Sequence, residues 1–129
     1  MKKIGTGLIF FILLSSMSVY AQGPRQEAPP VRLGDLDTAH VTCEALLANT
    51  RLIAADRSWE VVRFTMIFEL PDGKTYGPFK TEGAVLSEAE IRTIKRLKKN
   101  KATITFDDIN VLHDGKVKYT LPVVLRLNN

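Results

Sequence analysis

The hydrophobic positions near the C-terminus repeat first with the period of a helix and then with that of a strand. Ile91, Ile94 and Leu97 are three residues apart, which predicts a helix with one apolar stripe. Alternation of apolar and polar residues follows, as is typical of strands with one face in a core. The alternating apolar residues are Ala102, Ile104 and Phe106, then Val117, Tyr119 and Leu121. The pattern predicts a helix over about residues 87–99 and a β-hairpin after it.

Local signals also mark both ends of the helix. Ser87 is a good N-cap, and Glu90 three residues later completes a capping box. Leu86 and Ile91 are spaced for a hydrophobic staple across the first turn. Asn100 is expected to end the helix in the left-handed conformation.

The hairpin turn is predicted at Asp114-Gly115, because glycine accepts a positive φ without a Cβ clash. Pro122 interrupts the returning strand. Because proline has no amide hydrogen to donate, this strand is expected to be an edge strand or to be bulged.

Residues 59–70 give the strongest strand pattern of the chain. Either set of alternate residues could face the core. We expect the more apolar set to do so: Val62, Phe64, Met66, Phe68 and Leu70. Residues 71–74 are a turn, and 75–81 return with a bulge or an edge at Gly77-Pro78. The chain is therefore expected to be a series of hairpins with a helix before the last one.

Two shorter elements precede this hairpin. Residues 42–48 are predicted to form a helical turn with Thr42 as its cap and Asn49 as its end. Residues 51–55 are predicted to form a short strand, and 56–58 a turn.

The N-terminal residues 1–21 have the organisation of a secretory signal peptide. Lys2 and Lys3 precede an apolar run at 8–14, and small or medium residues lead up to Ala21. The alternative is a membrane anchor, but the apolar run is too short to cross about 30 Å of hydrocarbon. We expect cleavage after Ala21, a periplasmic or secreted location, and no membrane span in the mature protein.

After the signal peptide, residues 22–38 are rich in proline and glycine and are predicted to form an extended or disordered linker. One β domain is then expected over residues 39–129.

Charge and cysteine content limit the possible functions. The formal net charge of +4 includes two signal-peptide lysines, so the mature chain keeps 16 basic against 14 acidic residues. This near balance gives no support for a nucleic-acid partner, and we expect none. Cys43 is the only cysteine, which excludes an internal disulfide, and we expect it to be a small buried side chain.

The residue types suited to catalysis or metal binding are few. His40, Cys43 and His113 could together form a zinc site or a cysteine–histidine nucleophile pair, but no known signature surrounds them. Asp107 and Asp108 are neighbours on a strand, so they point to opposite faces and are expected to end it or bond to a turn. The sequence has no phosphate-binding loop, EF-hand loop or hydrolase elbow, and we predict no cofactor and no enzymatic activity.

Five of seven consecutive residues at the helix end are basic. They are Lys95, Arg96, Lys98, Lys99 and Lys101. Such a cluster complements the helix dipole and is solvated, and it could also contact an acidic partner or an anionic polymer. No aromatic residues are interleaved with it, as a single-stranded nucleic-acid platform would require.

The order of elements matches a known pattern. From residue 42 the chain runs through EALLAN, VVRFTMIF, LSEAEIRTIKRLKKN, ATITFDDINV and VKYTLPVVLRL. Over residues 42–127 it resembles the C-terminal domain of GldM-type proteins, the periplasmic components of gliding motility and type IX secretion in Bacteroidetes. Phe106, Asp108 and Ile109 fit that family's F-x-D/E-I pattern, whereas His113 stands where the family has proline.

The resemblance implies an immunoglobulin-like β-sandwich of antiparallel hairpins with one α-helix. It also implies a non-enzymatic scaffold that binds another envelope protein, with no catalytic residues to carry over. The strands at Gly77-Pro78 and Pro122 are the edges expected to pair with a partner. Two alternatives stay open: a secreted carbohydrate-binding or inhibitor domain, and a small hydrolase that uses His40, Cys43 and His113.

The signal peptide can be tested directly. N-terminal sequencing of the exported protein should give a chain that starts at Gln22. A mature chain that starts at Met1 would refute the prediction.

Overall fold

The computed structural model describes residues 28–128, and the predicted signal peptide lies outside them. The described residues form two helices and eight strands. The helices are α1 (Cys43–Leu47) and α2 (Glu88–Arg96). The strands are β1 (Val31–Leu33), β2 (His40–Val41), β3 (Leu52–Ala54), β4 (Glu60–Glu69), β5 (Thr75–Glu82), β6 (Thr103–His113), β7 (Lys116–Tyr119) and β8 (Val123–Leu127).

The strands form two sheets. The main sheet has six strands in the order β2–β8–β6–β4–β5, and β7 also pairs with β6. Strands β1 and β3 form a separate two-stranded sheet. The predicted mainly β, sandwich-like fold is confirmed. The turn predicted at 42–48 with Thr42 as its cap is also confirmed, and it is long enough to count as a second helix, α1. One pairing differs from the expected antiparallel hairpins, because β2 and β8 pair in parallel.

Strand β6 lies at the centre of the main sheet. One side of it pairs with β4, while the other pairs with β8 over its first half and with β7 over its second. A bulge at Asp108, where φ is +48°, separates the two halves. There the Asp108 amide donates to Oδ1 of Asp107 at 2.9 Å. The expectation that these aspartates end the strand was wrong, because β6 continues to His113.

The bulges also change which residues face the core. Phe64, Met66 and Phe68 are buried as predicted, but Val61 is buried in place of Val62. The register between β4 and β6 shifts after Val61, and this shift reverses the expected alternation.

Helix α2 covers the core with the stripe that the sequence predicts, since Ile94 and Leu97 are buried. The capping box at Ser87 and Glu90 is present. The Glu90 side chain is fully buried and accepts two hydrogen bonds. Its Oε1 accepts from the Ser87 amide at 2.7 Å, and its Oε2 accepts from the Thr81 hydroxyl on β5 at 2.9 Å.

The predicted left-handed end at Asn100 was wrong. Asn100 has no positive φ, and its amide donates to the carbonyl of Leu97 at 2.8 Å. A right-handed turn therefore leads from the helix to β6, and no left-handed residue is needed.

One of the two predicted edges is confirmed. Strand β5 is an edge of the main sheet, and its register shifts around Gly77-Pro78. Gly77 has a φ of +104°, and a Cβ at this position would lie 2.9 Å from the Met66 carbonyl oxygen. The strand after Pro122 is not a simple edge, because β2 pairs with β8 at Arg126 and Leu127.

The predicted linker differs from the structure in its second half. Val31–Leu33 form β1, and Val31 and Leu33 are buried in the core. The strand pairs with β3, which satisfies its backbone groups. Two apolar residues among prolines are a weak sequence signal, and tertiary contacts decided this element.

The buried Glu90 links the helix cap to the sheet. Replacing it by alanine (Glu90→Ala) leaves the Ser87 amide and the Thr81 hydroxyl without their acceptor, while the bond from the residue-90 amide to the Ser87 hydroxyl remains. We expect a loss of about 2–4 kcal/mol in the free energy of unfolding. Urea denaturation measures this loss. Glu88→Ala, at an exposed residue of the same turn, is the control and should cost about 0.5 kcal/mol or less. Equal losses for the two variants would contradict the link.

Candidate functional site

The three residues considered for metal binding or nucleophilic catalysis do not come together. His40 is exposed on β2, and Cys43 is buried in the core at 4% exposure. His113 ends β6, roughly 30 Å along the strand from Thr103, the start of β6 nearest His40. Within residues 28–128 no group of three metal-ligating side chains is found. The hydrolase alternative therefore lacks the convergence that it requires.

His113 instead packs against a neighbouring turn. Its ring stacks on Trp59 with the ring centroids 4.5 Å apart and the planes at 18°. Its Nδ1 lies 3.1 Å from the Ser58 carbonyl oxygen, and its Nε2 lies 3.3 Å from Oδ2 of Asp114. The predicted turn follows, with positive φ at Asp114 and Gly115. His113 thus joins the 56–59 turn to the β6–β7 hairpin.

Asp56 shapes the turn that carries Trp59. Its Oδ1 accepts from the Ser58 amide at 2.9 Å and from the Ser58 hydroxyl at 2.8 Å. These two bonds to the charged form, the backbone bond first, lower the pKa of the Asp56 carboxyl below its usual value. The turn is therefore held by the ionised carboxylate.

One face of the main sheet packs on the core, and the opposite face, here called the outer face, does not. Cross-strand register places four outer-face residues in one row. His40 pairs with Arg126, Arg126 with Thr103, and Thr103 with Glu69. At the usual strand spacing this row is about 14 Å long.

A depression of about 570 Å³ lies at this row and is here called the cationic cleft. Its lining includes the basic side chains of His40, Lys101 and Arg126, together with Glu69. Among the described residues, none of these four side chains has an ion-pair or hydrogen-bond partner. Their charges are therefore available to a ligand.

Large apolar side chains are exposed on β7, on β8 and on the segment that connects them. They are Val117 at 55%, Tyr119 at 69%, Leu121 at 79% and Val124 at 51% exposure, here called the apolar ridge. The prediction that Val117, Tyr119 and Leu121 face a core was wrong. Val111 is buried and pairs with Lys118, so the inward position on β7 belongs to Lys118. Its neighbours Val117 and Tyr119 consequently point to the outer face.

A second depression, of about 330 Å³, lies beside Tyr119. Asn110, Lys80 and an exposed ion pair between Arg63 and Glu82, 3.8 Å apart, also line it. Asn110 is buried and its Nδ2 donates to the Asp108 carbonyl at 2.7 Å. The bulge in β6 thus holds one wall of this depression.

The predicted basic cluster is exposed at all five positions: Lys95, Arg96, Lys98, Lys99 and Lys101. Only Lys101 of these lines the cationic cleft. The sequence did not identify Arg126 as its companion. Arg126 stands between two buried leucines of β8, which indicates an outward side chain, but only the strand order brings it to the same end of the sheet as Lys101.

Comparison with protein-family models finds no matching family, and no curated protein matches the chain. Neither helix among residues 28–128 has the length and apolar character needed to cross a membrane.

The Asp56 turn gives a pH-dependent prediction. Because folding lowers the pKa of Asp56, its carboxylate stabilises the fold above the unfolded-state pKa. That stability is lost as pH falls through the native pKa. Asp56→Ala should lower the melting temperature at pH 7, and the difference from the unmodified protein should shrink as pH falls below that native pKa. Thermal unfolding followed by Trp59 fluorescence measures this. A difference independent of pH would contradict the role of the carboxylate.

Proposed function

We propose that this protein is an exported, non-enzymatic interaction module that binds an envelope protein through its outer face. The observation that carries the proposal is the apolar ridge. Four large apolar side chains, each more than half exposed, follow one another from β7 through the connecting residues 120–122 to β8. Contiguous exposed apolar surface on a folded domain is typical of a binding site.

The sheet gives the ridge a rigid support. Val117 and Tyr119 lie on a strand paired with β6, and Val124 lies on one paired with the same β6. A partner can therefore bury these side chains without first ordering their backbone, which lowers the entropic cost of binding. The nearby cationic cleft adds electrostatic specificity.

The link to gliding motility or type IX secretion is a further part of the proposal. It rests on the resemblance of residues 42–127 to the GldM C-terminal domain. The exported location that this role requires rests on the predicted signal peptide.

Carbohydrate binding is the second candidate function, and Tyr119 is the observation in its favour. Its ring is 69% exposed and stands beside a depression with polar walls at Asn110 and Lys80. An aromatic ring next to hydrogen-bonding groups is suited to a sugar ring. An inhibitor role would use the apolar ridge itself.

Affinity capture from a periplasmic extract tests the proposal. The immobilised mature protein should retain specific envelope proteins, and the variant Tyr119→Ser with Leu121→Ser and Val124→Ser should lose them. The control variant Ile53→Ser with Val85→Ser changes apolar residues that are also exposed but lie off the ridge, and it should retain them. Each variant is first checked for an unchanged unfolding midpoint.

Capture that survives in the ridge variant would contradict the proposal. Recovery of polysaccharide alone would favour the second candidate. Recovery of secretion-ring or motor proteins would support the link to type IX secretion, and charge reversal at Lys95, Lys98 and Lys99 then tests the helix end separately.

A further inference from the structure

The cationic cleft has more positive charge than its surroundings neutralise. Lys101 and Arg126 both line it and have no ion-pair partner among residues 28–128, and His40 adds a third group that is cationic when protonated. Glu69 also lines the cleft, but at the β4 side, two strands away from Arg126. The Arg126 end of the row is therefore suited to an anion.

Apolar surface continues directly from the Arg126 end of the row. On β8, Val124 is two residues before Arg126, so both side chains point to the outer face about 7 Å apart. Val124 pairs with Thr105, and Thr105 pairs with Ile67, which is half-buried. This second row, which runs from Val124 through Thr105 to Ile67, is thus apolar at both ends. Leu121 and Tyr119 precede Val124 in the chain and continue the apolar ridge.

We propose that the occupant of the outer face is an extended acidic peptide segment of the protein partner. Its carboxylate accepts hydrogen bonds from Arg126 and Lys101, and its following apolar side chains pack on Val124 and the rest of the apolar ridge. This inference rests on the proposed function and specifies the chemistry of the partner. Glu69 gives the site a direction, because it repels a second carboxylate at the β4 end of the row.

The lining of the cleft favours a peptide over an acidic polysaccharide. Leu70, Pro71 and Leu127 contribute its apolar part, and none of its lining residues is tryptophan, tyrosine or phenylalanine. A sugar ring therefore finds none of these larger aromatic rings beside the cations. An extended chain with an acidic residue followed two and four residues later by apolar ones presents all three side chains on one face, where they can reach both the cleft and the ridge.

Fluorescence anisotropy with defined probes tests this inference on the mature full-length protein. The probe is a fluorescein-labelled peptide in which one glutamate is followed two and four residues later by valine, with threonine at the positions between. Two further peptides replace glutamate by lysine, or valine by serine. We expect saturable binding of the first peptide only, because each of the others lacks one of the two required groups.

The decisive variant is Lys101→Ala with Arg126→Ala. Losing these charge-assisted hydrogen bonds should weaken binding of the glutamate–valine peptide on the order of tenfold or more. The matched control is Lys95→Ala with Arg96→Ala, which removes the same charge from exposed residues of α2 that do not line the cleft. At 0.15 M salt the Debye length is about 8 Å, so this control should change binding less than about twofold.

Three results would overturn the inference: no saturable binding of the glutamate–valine peptide, equal weakening by the two double variants, or competition by a uronic-acid oligosaccharide at lower concentration than the unlabelled peptide.

The capture experiment distinguishes failure of this inference from failure of the proposed function. If ridge substitutions abolish capture but the peptide does not bind, the outer face is a docking surface for a partner of different chemistry. If neither experiment shows binding, the proposed function is wrong as well.

Discussion

The hydrogen bonding of strand β6 is the constraint on which the rest of the fold depends. This one strand pairs with β4 along one side and with β8 and β7 in succession along the other. Strand β6 is bulged at Asp108, where its register with β4 shifts. The bulge leaves Asp108 exposed and turns Ile109 into the core, so both halves of the strand bury their apolar side.

The two faces of the main sheet have different roles because only one of them is covered. Helix α2 and the small sheet of β1 and β3 close the inner face, and the buried Glu90 carboxylate fixes the helix to β5 through Thr81. The outer face keeps its apolar side chains and its unpartnered charges in contact with solvent. Strand pairing already fixes the backbone of the outer face, so the proposed partner would meet side chains on ordered strands.

The candidate site combines residues from separate parts of the chain. Lys101 precedes β6, Arg126 belongs to β8, and His40 belongs to β2. Each is an ordinary surface residue in its local sequence, and the strand order alone makes them neighbours. The same order separates His40 from His113, so the two histidines do not belong to one site. His113 stabilises the hairpin by stacking on Trp59 instead.

The sequence by itself determined the elements whose signals are local. Ser87 and Glu90 set the start of α2, Asp114 and Gly115 set the last hairpin turn, and Gly77 set the bulge in β5, because each depends on neighbours a few residues away. Tertiary structure decided which face of each strand became core. The bulges that place Val61 inward, and Val117 and Tyr119 outward, arise from pairing with β6. The alternation of residues along a single strand contains no information about such a shift. The burial of β1 and the meeting of Lys101 with Arg126 were likewise decided by contacts between residues far apart in the chain.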